Sequence, residues 1–127
     1  MRIAVAYGKE RVVFGRPIGQ NQGLAFPLAE AHMQLHAAEL AIREASWQFD
    51  HGIPCAEAAN TAKFLAAEAA FFACDRAMQT LGGMGYAREY HVERYWREAR
   101  LMKIAPVSQE MILNFLGSNV LKLPKSY

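Results

Sequence analysis

Three glycines, Gly82, Gly83 and Gly85, lie in the stretch LGGMGYAREY, which covers residues 81–90. Glycine commonly ends a helix, and its lack of a side chain also lets a ligand approach the backbone closely. The stretch is neither the G-x-G-x-x-G that follows a strand in dinucleotide-binding folds nor a P-loop, because no strand is predicted before it. The local pattern therefore favours a helix cap and a turn, with a ligand-binding backbone as the alternative.

His32, His36 and Glu39 lie four and three residues apart, so a helix would place them on one face. Metal sites in helical bundles begin in this way, but they need further ligands from a second helix. The sequence has no HExxH and no Glu-x-x-His pair on another helix. The three side chains are therefore predicted to form a polar face and not a metal site. His51 and His91 are scattered, and no Ser/His/Asp order can be recognised.

Composition excludes several classes of protein. The length of 127 residues indicates one domain, and a hydrophobic content of 53% indicates that this domain is globular. The net charge is +2. There is no basic run to bind nucleic acid, no apolar stretch long enough to span a membrane and no export signal. Cys55 and Cys74 form no CxxC motif, so reduced, packed thiols and a cytoplasmic location are expected.

Apolar residues recur three and four apart, which predicts helices and no strands. One helix is expected to begin near Gln20 or at Pro27 and to stop before Gly52 and Pro54. It carries an apolar seam with the spacing of a bundle helix, formed by Leu28, Ala31, Leu35, Ala38, Ile42, Ala45 and Phe49. A second stripe, expected to meet another partner, repeats every seven residues at Met33, Leu40 and Trp47.

Four further segments complete the predicted architecture. The alanine-rich segment of about 56–81 is expected to form a long helix, because alanine favours helix and lets backbones approach closely. Another helix is expected over 89–102, one more after Pro106, and a tail over 123–127. The first helix is expected to end at Gly15, and it lacks a capping residue, so it is expected to continue a longer helix of a parent protein. The predicted fold class is all-α, an up-and-down bundle of four to five helices in a single domain, residues 1–127.

Two motifs in order along the chain resemble one family. These are RVVFGRPIGQNQ, residues 11–22, and, after a long helix pair, AMQTLGGMGYAREYHVERYWREAR, residues 77–100. They resemble the C-terminal helical domain of the acyl-CoA dehydrogenases, and the likeness covers almost the whole chain. The resemblance implies FAD held between subunits, an acyl-CoA substrate bound by the complete enzyme, and a homo-oligomer whose core includes this bundle.

The resemblance also implies particular contacts to FAD. Arg11 resembles the arginine that meets the FAD pyrophosphate of the neighbouring subunit, Phe14 the aromatic residue at the adenine end, and Gln22 a further contact to that cofactor. Gln79 and Gly83 resemble the residues that meet the ADP half across the subunit interface. These residue types suit the ligand, because arginine offers phosphate a planar fork and glycine lets the backbone approach.

The catalytic base of many members has no counterpart here. Their glutamate opens an E-G-T motif, and the ungapped match with REARLMKIAPVSQEM puts Pro106 on it, Val107 on the glycine and Ser108 on the threonine. Ser108 keeps the hydroxyl and is predicted to belong to the cofactor site. Proline supplies neither a carboxylate nor a backbone N–H. Glu110 is the nearest acid, one turn further on, and is not expected to replace the base.

Two hypotheses of different classes follow. In the first, the chain is the C-terminal domain of an FAD-dependent acyl-CoA dehydrogenase, inactive alone, that contributes FAD contacts and the oligomer core. In the second, it is a non-catalytic helical subunit that supports oligomerisation and part of a flavin site. Pro106 and the lack of the family's other two domains favour the second, and the motifs favour the first.

Overall fold

The computed structural model describes residues 1–125. Within that range the long elements are helices, as predicted, and the all-α bundle is confirmed. Part of the predicted tail over 123–127 lies outside the described residues. The α-helices are α1 (Arg2–Glu10), α2 (Gln22–Asp50), α3 (Ala56–Leu81), α4 (Gly83–Tyr86), α5 (Val92–Met102) and α6 (Gln109–Phe115).

The two longest helices, α2 and α3, form the centre of the bundle. A short loop joins them, so they run antiparallel, and Gly52 takes a positive φ of 67° in that loop. Most of the side chains that are buried on these two helices are small, and small side chains let neighbouring backbones approach closely. The alanines buried on these helices are Ala31, Ala38, Ala62, Ala67, Ala69, Ala73 and Ala77.

The predicted seam of α2 is confirmed only in part. Ala31 and Ala38 are buried, whereas Ile42 and Phe49 are 45% and 74% exposed. The seam remains open at one end because, among residues 1–125, the contacts of α2 are chiefly to α3 and to the Ile18–Gln20 turn. The second stripe of Met33, Leu40 and Trp47 is exposed along its whole length.

The segment after α1 differs from the prediction of a helix that ends at Gly15. The helix ends at Glu10, and two short strands follow, β1 (Val12–Val13) and β2 (Arg16–Pro17), so the expectation of no strands is wrong. They pair antiparallel with Val13 opposite Arg16. Phe14 and Gly15 have φ values of 51° and 76°, as the two central residues of a type I′ hairpin turn require.

The starts of three helices also refine the predictions. Helix α2 begins at Gln22, so Pro27 lies inside it. The helix expected from Glu89 begins at Val92, after a 3-10 turn at Arg88–Tyr90 and a left-handed His91. Helix α6 begins just after Ser108 and continues into a π-helical turn at Leu116–Val120.

A small apolar cluster packs the ends of several helices together. Ala4 of α1 is fully buried against Ala77 and Leu81 of α3 and Val92 of α5. The rings of Tyr7 and Tyr90 meet edge to face across this cluster at 6.0 Å. Leu28, near the start of α2, packs on the same cluster. The segment after α1, the start of α2 and the end of α3 therefore meet at one end of the bundle.

Candidate cofactor site at one end of the bundle

The hairpin that follows α1 presents two of the predicted cofactor residues. The backbone of Arg11 is fixed on both sides, since its N–H donates to the Tyr7 carbonyl at 2.9 Å and its carbonyl accepts from the Ile18 N–H at 2.9 Å. Its guanidinium is exposed. The Phe14 ring at the hairpin tip is 100% exposed. A fully exposed phenylalanine with a positive φ contributes nothing to the packing of this chain and costs backbone strain.

The Ile18–Gln20 turn, which follows the hairpin, is anchored to α1 by a close contact between two backbones. A Cβ atom added to Gly19 would lie only 2.8 Å from the Gly8 carbonyl oxygen, so no other residue fits at Gly19 without movement. The next segment is ordered by a hydrogen bond of 2.8 Å from Arg16 Nη2 to Asn21 Oδ1. Gln22 follows as the first residue of α2 and is exposed. Arg11, Phe14 and Gln22 are thus carried by one ordered segment.

The glycines after α3 have different roles. Gly82 has φ 59° and ψ −134°, a conformation open in practice to glycine, and its N–H caps α3 by donating to the Met78 carbonyl at 3.0 Å. Gly85 is buried, and a Cβ atom there would lie 2.7 Å from the Met78 carbonyl oxygen. Gly83 has neither reason to be glycine, because its φ is not positive and a Cβ atom there would meet open space.

Gln79 lies in the last turn of α3, two residues before its end at Leu81, and its side chain is exposed. The contact between α1 and α3 brings this turn to the same end of the bundle as the hairpin. Of the predicted cofactor residues, Arg11, Phe14, Gln22, Gln79 and Gly83 are therefore all exposed at that end. Their contacts to FAD stay predictions.

Ser108 lies apart from that group and has a structural task. It is the N-cap of α6, and its Oγ accepts a hydrogen bond from the Met111 N–H at 3.3 Å. The neighbouring Glu110 has a lowered pKa, because its carboxylate accepts hydrogen bonds from its own backbone N–H and from Ser108. The geometry thus explains the hydroxyl at position 108 without a cofactor, and a role in the cofactor site stays a prediction.

The loop that joins α5 to α6, residues 103–108, is called the α5–α6 loop. It contains Pro106, which is exposed and follows a cis peptide bond from Ala105. Lys103 of this loop forms a salt bridge with Glu68 of α3, at 2.7 Å to Oε1 and 2.9 Å to Oε2. The pKa of Glu68 is lowered, first by the hydrogen bond from Lys103 and then by one from Gln109.

Sequence reasoning missed this polar network around Glu68. Its members are 35 to 46 residues apart along the chain, so no local spacing could have indicated it. Lys63 and Glu68 are two of several polar residues in the alanine-rich α3, and nothing in their spacing sets them apart.

The histidines provide no site of their own. Glu39, which shares a helix face with His32 and His36, instead pairs with Arg43 at 2.6 Å. Residues 1–125 contain no group of three side chains placed to hold a metal ion. In the same part of the chain, no helix combines the length and apolar character needed to cross a bilayer.

Comparisons with known proteins agree with this architecture. The family described as acyl-CoA dehydrogenase, C-terminal domain, matches residues 1–121. Acyl-CoA dehydrogenase FadE12 of Mycobacterium tuberculosis is 48% identical over 126 residues, which cover 98% of this chain and 32% of that protein. This chain thus spans about a third of the length of that relative.

Solved structures give the same result. Butyryl-CoA dehydrogenase of Megasphaera elsdenii superposes with a TM-score of 0.91 at 35% identity, over 94% of this chain and 31% of that one. A structure described as an electron-transferring flavoprotein of Acidaminococcus fermentans superposes with a TM-score of 0.92 at 33% identity, over 95% and 32% of the two chains. The chain belongs to the acyl-CoA dehydrogenase family, and it corresponds to the C-terminal helical domain of that family.

Proposed function

We propose that this chain acts as the C-terminal domain of an FAD-dependent acyl-CoA dehydrogenase. The complete enzyme would remove a proton from Cα and a hydride from Cβ of an acyl-CoA thioester. One observation carries the proposal: residues of the types expected at the cofactor are exposed together at one end of the bundle, and the fold does not need them there. The match to a family of acyl-CoA dehydrogenases supports the same reading.

The side chains at that end fit FAD. Arg11 offers its exposed guanidinium to a pyrophosphate. Arginine suits phosphate better than other side chains do, because its planar guanidinium can donate two parallel hydrogen bonds. Phe14 offers a fully exposed ring for contact with an adenine. Gly83 leaves room for close approach to the backbone, since nothing in this chain fills the space beside it. Gln22 and Gln79 offer amides that both donate and accept hydrogen bonds.

Bound FAD would supply the redox chemistry by accepting the hydride. The residues of this chain would bind and orient the cofactor. At the α5–α6 loop, Pro106 can neither accept the α proton nor donate an N–H to the thioester carbonyl. The proton acceptor would therefore come from another part of the complete enzyme, and this chain alone would be inactive.

The oligomer and the location are part of the same proposal. The uncovered stripe of Met33, Leu40 and Trp47 supports a homo-oligomer, because apolar side chains in such a row favour contact with another surface. Two half-buried free cysteines, Cys55 and Cys74, are consistent with a reducing cytoplasm. The reaction class would place the enzyme in fatty acid metabolism.

The complete enzyme tests the proposal, with this chain joined to or mixed with the N-terminal and middle domains of its own protein. We expect a yellow assembly that contains FAD and reduces a dye when acyl-CoA is added. Arg11→Met should weaken FAD binding about tenfold or more, the effect of one charge-assisted hydrogen bond. Arg43→Met, which removes an exposed arginine of α2, is the matched control. A colourless and inactive assembly of all three domains would contradict the proposal.

The second candidate is a non-catalytic subunit that supports assembly and part of a flavin site, and the missing base at Pro106 favours it. The two candidates differ in one outcome of the same experiment. An assembly that retains FAD but shows no dye reduction with any acyl-CoA would support the subunit. Turnover that depends on acyl-CoA would exclude the non-catalytic subunit.

A further inference from the structure

The residue at the start of α2 does not cap this helix with its side chain. Asn21 stands at the N-cap position, directly before Gln22, yet its side chain accepts no hydrogen bond from the first turn. Asparagine at this position usually accepts one from a backbone N–H two or three residues further on. Ser108 does so at the start of α6, where its Oγ accepts from the Met111 N–H. The side chain of Asn21 is therefore engaged elsewhere.

The side-chain oxygen of Asn21 accepts a hydrogen bond from the hairpin instead. Arg16 Nη2 donates to Asn21 Oδ1 at 2.8 Å. Arg16 belongs to β2 and directly follows the two-residue turn of Phe14 and Gly15. One hydrogen bond thus joins the strand beside the hairpin tip to the residue directly before Gln22.

No acidic side chain competes for the guanidinium of Arg16. Within residues 1–125, no salt bridge involves this arginine, although four salt bridges occur elsewhere. Its direction is therefore set by the neutral amide of Asn21 and not by a carboxylate. Because Asn21 is half-buried between the Ile18–Gln20 turn and α2, it offers Arg16 a fixed acceptor.

Backbone contacts hold the base of the hairpin but not its tip. The Ile18 N–H donates to the Arg11 carbonyl at 2.9 Å, and the Asn21 N–H donates to the Ile18 carbonyl at 3.0 Å. The Phe14 ring at the tip is 100% exposed, so no packing within this chain fixes its place. The hydrogen bond from Arg16 adds a side-chain contact close to the tip.

We propose that Arg16 and Asn21 are positioning residues for FAD, whose hydrogen bond holds the hairpin tip near the start of α2 and so sets the distance between the Phe14 ring and the Gln22 amide. The inference rests on the proposed function, in which Phe14 and Gln22 contact the same cofactor. Groups that are already held in place lose less conformational freedom when a ligand binds, which raises the affinity. Loss of the hydrogen bond therefore weakens FAD binding although neither side chain touches the cofactor.

The test is a double-mutant cycle on the FAD affinity of the complete dehydrogenase. Arg16→Met removes the donor and Asn21→Ala removes the acceptor, and each should raise the Kd for FAD about threefold or more, the effect of one hydrogen bond. The double variant should bind FAD within roughly twofold of either single variant, because both changes remove the same contact. Asn21→Asp, which keeps the acceptor, should bind FAD within roughly twofold of the original enzyme.

Two measurements on the FAD-free enzyme separate positioning from a purely structural role. Arg16→Met frees Asn21 Oδ1 to cap α2, so the melting temperature should stay within about 2 °C of the original, and a larger fall would reduce the pair to a structural role. Amide hydrogen exchange of a peptide over 12–17 should nevertheless be about threefold faster or more in both single variants.

Arg43→Met is the matched control, since it removes an exposed arginine of α2 whose partner lies within the same helix. It should change neither the Kd for FAD nor hydrogen exchange over 12–17.

Several outcomes would overturn the proposal. If Arg16→Met weakened FAD binding and Asn21→Ala did not, Arg16 would act on the cofactor directly. Losses that add in the double variant, unchanged affinity in both single variants, or an equal loss in Asn21→Asp and Asn21→Ala would overturn it as well. An original enzyme that binds no FAD would instead refute the proposed function, and hydrogen exchange in the FAD-free enzyme would still decide whether the hydrogen bond holds the hairpin.

Discussion

At the scale of single residues, the three glycines of LGGMGYAREY have separate physical causes. Gly82 is required by a positive φ and Gly85 by its contact with the Met78 backbone, so the predicted cap and turn account for those two. Gly83 alone has no requirement within the chain. The sequence could predict the turn, but it could not separate these roles, because they depend on a backbone contact that no spacing reveals.

Substitutions at Gly83 and Gly85 should therefore have opposite consequences. Gly85→Ala should lower the free energy of unfolding by about 1–3 kcal/mol, because its Cβ atom would overlap the Met78 carbonyl. Gly83→Ala should leave stability within about 0.5 kcal/mol of the original but reduce FAD binding by the complete enzyme. Denaturant unfolding followed by circular dichroism measures the first quantity, and titration of the apoenzyme with FAD measures the second.

Gly117→Ala serves as a control for Gly83→Ala, because a Cβ atom at Gly117 also meets open space and lies away from the predicted cofactor contacts. It should affect neither stability nor FAD binding. Equal FAD affinity in all three enzymes, original, Gly83→Ala and Gly117→Ala, would show that no ligand approaches Gly83.

A substitution at Phe14, at the tip of the hairpin, should also separate an effect on folding from an effect on FAD binding. Phe14→Asn should keep or slightly raise the melting temperature, because asparagine tolerates a positive φ and Asn-Gly is favoured in a type I′ turn. The same change removes the exposed ring and should weaken retention of FAD by the complete enzyme. Differential scanning calorimetry and flavin content after gel filtration would measure the two effects. A lower melting temperature with unchanged flavin content would contradict both expectations.

At the scale of elements, the long helices were predictable and several of their ends were not. The alanine-rich helix begins at Ala56 and ends at Leu81, as the pattern predicted, because helix propensity and a glycine stop agree there. The first helix ends early because a hairpin turn at Phe14 and Gly15 competes with it. The start of α5 was placed too early because left-handed His91, not a common capping residue, begins that helix.

The salt bridge between Glu68 and Lys103 ties two elements together and should depend on pH. The pKa of Glu68 is lowered from its ordinary value of 4.5, so the pair stabilises the fold above that value and is lost as pH falls through the lowered pKa. At neutral pH, Glu68→Gln should cost about 0.5–1 kcal/mol, a small figure because 42% of the Glu68 side chain is exposed to screening solvent.

Urea unfolding at a series of pH values would measure this difference between Glu68→Gln and the original protein. The difference should shrink as the pH is lowered below 4.5. Glu39→Gln is the control. The pKa of Glu39 is also lowered, by its hydrogen bond with Arg43, but this pair lies within a single helix and does not join two elements. If the difference in free energy of unfolding between Glu68→Gln and the original protein stayed constant with pH, the salt bridge between Glu68 and Lys103 would not be the source of pH-dependent stability.

At the scale of the whole molecule, the chain buries few large side chains. Ile112 is the largest side chain with less than 2% exposure among residues 1–125, and most of the buried core is alanine. The apolar patterns of α2 predicted this helix and its seam, but not which apolar residues the chain itself would cover. That depends on neighbours, and periodicity reports only that an apolar face exists.

The uncovered stripe of α2 should therefore be an oligomer contact. Met33→Glu together with Leu40→Glu should reduce the oligomer of the complete enzyme to a smaller species while the helix content stays the same, because two charges would be buried in an apolar contact. Ser46→Glu, on another face of the helix, should leave the oligomer intact. Analytical ultracentrifugation measures the mass, and an unchanged mass in the double variant would exclude the stripe from the interface.

We propose that this chain completes a flavin site at which an acyl-CoA is oxidised. The most direct test is an anaerobic titration of the complete enzyme with acyl-CoA substrates, followed by the absorbance of oxidised flavin. We predict that this absorbance falls with substrate, and that Arg11→Met lowers the bound FAD while Arg43→Met does not. Flavin absorbance that stays unchanged with every acyl-CoA, in an enzyme that holds its full complement of FAD, would contradict the claim.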